Sequence, residues 1–415
     1  MAKALRLFYL YRLLATSYLW QPVFVFFMID RGLAFDEVML LSVVYSAIVV
    51  LIEVPTGAFA DRIGRRQSMM LGALAMVASC LFGYAAHGFG MFLVSQSLAG
   101  MSMALCSGAD SAYLFDLLQE NGRIHEYPRR ESHASAWHMA GNVAACVAGG
   151  LLATVDLGLP YLVNAGTAAV AFVVALLMHA ESRRESRPRE PLAVELKAHF
   201  TLMRESLAIA TRNKRLAWII FYSAVVFALV RVTVYLYQPY LVAHGFNYWQ
   251  TGMVYAGVFG IGAIFALRYE SLRAWLGEGT LVWGLLATLA ISFLLLNSIA
   301  GPWALAMLAV QGATKGLYSP LVKPILNREI TDSSQRATVL SVESIARRTA
   351  TGVVSLVAAA YGAYAAIYWC GALGVAGFAV LALASRWQPT RGAGQLATMR
   401  PAPEVAPPPV EARLD

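Results

Sequence analysis

Residues 57–66 read Gly57-Ala-Phe-Ala-Asp61-Arg62-Ile-Gly64-Arg65-Arg66. A carboxylate and three arginines are packed between two apolar runs, so the segment reads as a tight loop at the face of a membrane. Each residue has a physical use there. Gly57 permits close helix approach. Asp61, at a helix end, can pair with arginine and accept hydrogen bonds from a neighbouring helix N-terminus. Gly64 allows the turn. Arg65 and Arg66 anchor the loop at anionic headgroups.

Outward from this loop the chain is mostly apolar. It has 415 residues, 59% hydrophobic and 13% charged, with mean hydropathy +0.59. Soluble domains carry roughly 25% charged residues, so this composition excludes a soluble enzyme. It also excludes general disorder, which needs low hydrophobicity and high charge. At about 20 apolar residues per span plus a connector, the length accommodates about twelve spans. Apolar windows place them near 8–29, 38–60, 68–86, 89–117, 134–155, 159–180, 214–239, 248–267, 279–299, 302–326, 337–360 and 363–385. Helices are expected, because every backbone group in hydrocarbon must be bonded within its own segment. The runs lack the short alternating pattern of barrel strands. The first stretch is too long for a signal peptide and no small-residue cleavage site follows it, so it is expected to be retained.

Charge distribution orients the spans. With the N-terminus inside, the inner segments hold Arg62, Arg65, Arg66, Arg123, Arg129, Arg130, Arg268, Arg273, Arg328 and Arg386. The long central segment adds Arg183, Arg184, Arg187, Arg189, Lys197, Arg204 and Arg212, whereas the outer loops hold only Arg31. Positive charge collects in cytoplasmic loops. Both termini are therefore expected in the cytoplasm of a multi-pass inner-membrane protein. The net charge of +8 is accounted for by orientation and needs no nucleic acid. Cys80, Cys106, Cys146 and Cys370 lie in apolar stretches without CxxC spacing, so neither a disulfide framework nor a zinc site is expected.

Residues 181–213 are charged and part amphipathic (Leu192 to Ile209), and they divide the chain in two. The expected organisation is an N-terminal six-helix half at 1–180, a cytoplasmic linker at 181–213 and a C-terminal six-helix half at 214–386. Residues 387–415 are expected to form a disordered tail rich in Pro and Ala. The fold class is an all-α polytopic membrane protein with twelve transmembrane helices in two halves. Two halves around a midplane site is the internal-repeat architecture of secondary transporters.

The loop at 57–66 resembles the signature of the major facilitator superfamily, Gly-x-x-x-Asp-Arg-x-Gly-Arg-Arg/Lys, and it lies between spans 2 and 3 as in that family. The layout matches over residues 1 to about 386. The resemblance implies that Gly57, Asp61, Arg62, Gly64, Arg65 and Arg66 form a latch between the halves in the outward-open state. Glu343, Arg347 and Arg348 at the start of span 11 are its candidate partners. Glu343 and Arg347 are also i,i+4 neighbours and could pair with each other. The corresponding loop after span 8, Gly262-Ala-Ile-Phe-Ala-Leu267-Arg268, echoes the motif without its aspartate.

Ionisable groups inside a membrane are costly and mark function by default. Four fall well inside the spans: Glu53, Asp110, Arg231 and Lys315. Arg231, Tyr235 and Gln238 share a helix face, as do Gln311, Lys315 and Tyr318. The resemblance implies that spans 1, 4, 7 and 10 line the central cavity. Arg231 and Lys315, each beside an aromatic and an amide, suit an anionic or hydrogen-bond-rich solute. Gln21 with Ser17, and Asn142 with His138, could add neutral contacts. The bland alternative for these amides is hydrogen bonding between helices. Glu53 and Asp110 are candidate proton carriers, because burial favours the neutral carboxyl. Either could instead neutralise a cation, for instance Asp110 with Lys315. Asp116 reads as structural, and Lys323 can snorkel.

Drug–proton antiporters of the superfamily carry a span-4 arginine where this chain has Gln96, before Gly100. They also carry a Gly-Pro-x-x-Gly-Gly run that here reads Ala145-Cys146-Val-Ala-Gly149-Gly150. These departures weaken a direct carry-over of antiport without excluding export. The expected function is secondary transport of a small organic solute by alternating access, with proton-coupled export (drug, siderophore or metabolite) ahead of proton-coupled uptake of an organic anion. A non-transporting sensor or scaffold is the remote alternative. No catalytic or metal constellation is seen: the histidines are scattered and no Gly-x-Ser-x-Gly or P-loop occurs. No enzyme activity and no cofactor beyond the proton gradient are expected. The expected partners are the solute and membrane lipids, with the chain acting as a monomer.

Overall fold

The structure, a computed structural model, describes residues 1–179, 213–299, 302–330 and 336–386; the side chains of 53–59, 61, 62, 128, 302, 336–338 and 386 are outside that description. The expected linker (all but Asn213), the expected tail and the side chains of Glu53, Gly57, Asp61 and Arg62 therefore lie outside the described residues.

The described chain is helical, as the burial of backbone polar groups in hydrocarbon requires. Helices α1 (Ala2–Ala15) and α2 (Phe24–Asp30) are followed by α3 (Phe35–Ile63), α4 (Arg65–Tyr84), α5 (Phe89–Cys106) and α6 (Ala109–Glu120). Then come α7 (Tyr127–Ala153), α8 (Leu159–Leu177), α9 (Lys214–Ala243) and α10 (Tyr248–Leu267). The chain continues with the short α11 (Tyr269–Leu276), then α12 (Glu278–Leu296), α13 (Pro302–Glu329) and α14 (Arg336–Arg386). Among the described residues, nine helical stretches are long and apolar enough to cross a membrane by length and composition. Helix α14 runs 51 residues, but Gly362, at φ 77°, breaks its helical geometry between the two spans expected there.

Two expected spans are discontinuous. The stretch 8–29 is not one helix: it unwinds at Thr16–Val23 between α1 and α2. Pro22 has no N–H to donate and pushes Gln21 away from the helical region. The stretch 89–117 breaks at Ser107, which is extended, and Gly108, which is left-handed at φ 77°.

Helices α1 to α8 pack among themselves, with α4 against α5 and α8 and α1 against α7 and α8. Helices α9 to α14 form a second group, with α9 against α14 and α10 against α13. The groups meet where α7 packs on α10, α3 on α14 and α2 on α9. One end of the bundle carries Arg65, Arg66, Arg123 and Arg328. At the other end α7 and α10 touch through backbone. A Cβ on Gly150 would lie 2.8 Å from Gly252 Cα and 2.9 Å from the Tyr248 carbonyl oxygen. Nearby, Ser42 and Ser355 share a hydrogen bond of 3.1 Å between their hydroxyls. Small residues allow this approach where no hydrophobic force between helices assists it.

Gly150→Val is therefore expected to push α7 from α10 at the end away from the arginines. Overpacking of about 1–3 kcal/mol converts to a population shift of about 5–150-fold toward a form open at that end. With the native cysteines replaced, alkylation of a single cysteine placed on α10 at the fully buried Thr251 should speed up accordingly, and an unchanged rate would show the contact to be incidental.

Candidate functional site

The unwound segment of the first span forms one wall of a cavity. Its backbone groups need partners at a depth without water. Leu19 N–H donates to Asn164 Oδ1 at 2.8 Å. Gln21 N–H and Val23 N–H close turns onto the carbonyls of Tyr18 and Trp20, each at 3.1 Å. Trp20 stacks on Tyr161, with ring centres 5.9 Å apart.

The cavity holds about 210 Å³. That is the room of about seven water molecules at ~30 Å³ each. Tyr18, Trp20, Gln21 and Phe24 form the wall from the first span. Tyr45, Met76, Gln96, Ala99, His138 and Asn142 come from α3, α4, α5 and α7, and Arg231, Val234, Tyr235, Phe259 and Lys315 from α9, α10 and α13. Of the residues expected from sequence, the structure gathers Gln21, Asn142, Arg231, Tyr235 and Lys315 here. Both cations lie on aromatic faces. The Lys315 ammonium is 3.7 Å from the Phe259 ring centre, and the Arg231 guanidinium 5.7 Å from that of Tyr45. Aromatic faces attract a cation by their quadrupole and leave its net charge in place. The two cations are within electrostatic reach of each other. A solute with negative charge gains from both.

Gln238 and Gln311 do not line this cavity. Gln238 is fully buried one turn beyond it. Its Oε1 accepts from the N–H groups of Val25 at 2.8 Å and Phe26 at 3.4 Å. Its Nε2 donates to the Gln21 carbonyl at 3.0 Å and to the Tyr255 hydroxyl at 3.4 Å. It thus caps α2 from the other group of helices. Gln311 accepts a hydrogen bond from Tyr237 at 2.7 Å. Tyr318 is hydrogen-bonded to Ser223 at 2.7 Å.

The family description of the Major Facilitator Superfamily matches residues 13–342. The chain belongs to the Major Facilitator Superfamily. It is similar to "Multidrug resistance protein 2" of Bacillus subtilis (strain 168), at 29% identity over 127 residues, which is 30% of each chain. The chain thus matches under a third of that relative's length. Solved structures share the fold. The nucleoside transporter NupG superposes with a TM-score of 0.72 at 12% identity, covering 93% of this chain and 99% of that one. The peptide transporter POT in complex with sulfate gives 0.70 at 14% identity, covering 92% and 94%.

In this superfamily member the signature loop turns at Gly64, whose φ of 104° and ψ of 146° separate α3 from α4. A side chain there would be strained. The two arginines after it hold protein groups rather than serving headgroups alone. Arg65 pairs with Asp116 at 2.8 Å. Arg66 donates to the carbonyls of Met178 at 2.9 Å and Leu176 at 3.3 Å, at the end of α8. Those carbonyls have no partner within their helix and accept a cationic donor. Glu343 and Arg347 pair with each other at 2.9 Å. Glu343 is buried and also accepts from Ser223 on α9, while Arg347 lies 4.8 Å from the Phe227 ring centre.

Asp110 does not reach Lys315. It begins α6 and forms an ion pair with Arg12, in the last turn of α1. Sequence reasoning missed Arg12, whose signal was an arginine inside the first apolar stretch. It also missed the aromatic lining at Tyr18, Trp20, Tyr45 and Phe259.

Gln238→Ala strips four partners at once. An unmet buried polar group costs about 1–3 kcal/mol, so the melting temperature of the purified chain is expected to fall by at least about 4 °C. A melting temperature equal to wild type would remove the structural role assigned to this amide.

Proposed function

We propose that this chain is a proton-coupled secondary transporter that exports a small organic anion across the inner membrane by alternating access, with its arginine-rich end in the cytoplasm. The observation that carries this reading is the pair Arg231 and Lys315, brought from two different helices to one cavity and held only by aromatic faces among the described contacts. Charge is retained at such depth when it is used. The aromatic walls supply a surface for the apolar body of the solute. Membership of a transporter superfamily supports transport, and the similarity to a multidrug resistance protein supports the export direction. The halves at 1–180 and 214–386 are proposed as the two rocking bodies, each with six spans, joined by the linker at 181–213.

Glu53 and Asp110 are the acids proposed for proton coupling, Glu53 as a carrier of the proton and Asp110 as the counter-ion of Arg12 in the charge cluster that responds to it. The loop at 57–66 is proposed as the latch of the outward-open state. In the conformer described here the end away from the arginines is closed by Gln238, Gly150 with Gly252, and Ser42 with Ser355.

A panel of organic anions, cations and neutral solutes tested for thermal stabilisation of the purified chain checks the substrate class. Anions are expected to stabilise it. Arg231→Ala and Lys315→Ala should each weaken that binding by about 10–100-fold, the loss of about 1.5–3 kcal/mol that goes with a hydrogen bond to a charged group. Stabilisation by cations alone would overturn the substrate class. In proteoliposomes, flux of a stabilising anion should run against an imposed pH gradient and collapse with an uncoupler. Flux with the gradient would favour uptake. Asp61→Asn is expected to fold normally and slow this flux, and normal flux would remove the latch.

A further inference from the structure

Arg12 lies in the last turn of α1, just before the first span unwinds, and Asp110 lies in the first turn of α6, just after the fourth span breaks. Their ion pair therefore joins two interrupted helices. A helix C-terminus favours a cation and an N-terminus an anion, so both groups are held charged by the helix ends as well as by each other. Their side chains are 13% and 16% exposed.

A third charge adjoins them. Glu131, in the second turn of α7, accepts a hydrogen bond from the Ser111 hydroxyl through Oε1 at 2.8 Å. Glu131 is also within electrostatic reach of the Arg12 guanidinium. Its Oε2 is buried and has no hydrogen-bond partner among the described residues. Among the described residues, the neighbouring arginines of this end are committed elsewhere. Arg130 pairs with Glu126 at 2.8 Å, and Arg123 pairs with the same carboxylate. Tyr127 faces the cluster as a neutral phenol, and His133 lies against the Tyr9 ring with centres 6.4 Å apart. Among the described residues one guanidinium thus serves two carboxylates, and an uncompensated carboxylate away from water is costly. A proton on this carboxyl would leave one guanidinium facing one carboxylate.

We infer that Glu131 is a further proton-binding residue of this transporter beside Glu53, with Asp110 as the counter-ion of Arg12 and Arg12 shared with Glu131 only when that carboxyl is ionised. This rests on the proton coupling proposed above. Helix α7 carries the consequence to the cavity and to the closed end. His138 and Asn142 follow Glu131 at i+7 and i+11 on the same face and line the cavity. They lie about 10 and 17 Å along the helix from Glu131. Gly150, farther on, makes the backbone contact with Gly252 that closes the far end. Ionised Glu131 draws α7 toward Arg12; the protonated form releases it. One rigid helix thereby ties proton occupancy to the cavity wall and to the seal between the two groups.

The test uses the full chain in lipid nanodiscs, with Cys80, Cys106, Cys146 and Cys370 replaced and spin labels at Val155→Cys and Ala243→Cys, one at the far end of each group. The label separation is read from about pH 8 to about pH 4, down to the ordinary range of a glutamate carboxyl. The wild-type background is expected to switch between two separations. Glu131→Gln should hold one separation throughout, and Glu131→Asp should switch again with a displaced midpoint. Ser111→Ala, a milder change that keeps every charge, should move the midpoint by at least about half a unit, the effect of a hydrogen bond worth ~0.7 kcal/mol. A Glu131→Gln variant that switches with the wild-type midpoint, or a Ser111→Ala variant with no displacement, overturns the role of Glu131 and leaves proton coupling standing. A wild-type background that never switches overturns proton coupling and this inference together.

Discussion

A backbone that unwinds inside a membrane must find a partner for every amide it exposes. At Thr16–Val23 the partners come from side chains on other helices: Asn164 on α8 takes the Leu19 N–H, and Gln238 on α9 takes the start of α2. These bonds let the first span stay open without orphaned groups. The opening brings Tyr18, Trp20 and Gln21 to the central cavity, and it ends α1 where Arg12 meets Asp110. The cavity, the charge cluster and the closure of the far end all depend on that one interruption.

Charge at depth is treated in two ways. In the N-terminal group, Arg12, Asp110 and Glu131 form a cluster braced by Ser111 and by helix ends. In the cavity, Arg231 and Lys315 have aromatic faces beside them. The first arrangement pairs charge within the protein, and the second leaves its net charge facing the cavity. The loop at 57–66 uses a third device, in which Arg66 takes the last carbonyls of α8.

Much of the fold was legible because hydrocarbon imposes long apolar windows and positive charge marks their ends. The family was legible from ten residues. The breaks were not, although Pro22 and Gly108 both signalled them, because a hydropathy window averages over a short interruption. Helical periodicity placed Arg231, Tyr235 and Gln238 on one face, but it gives the angle around the axis and says little about the depth at which a cavity ends. Gln238 therefore looked like a solute contact and is a brace. Arg12 and Glu131 escaped notice because each lies at the margin of an apolar stretch. Glu131 precedes the window at 134–155, yet α7 already begins at Tyr127.

Gln238 has a consequence for leakage. Its four bonds all involve one amide, and three of them go to the α2 segment, so they break as a set. A half-moved α2 would leave N–H groups bare in an apolar layer, so intermediate positions are poorly populated. The far end is then either shut or fully open, with little residence between. A far end that spends little time ajar would leave few continuous water wires across the bundle.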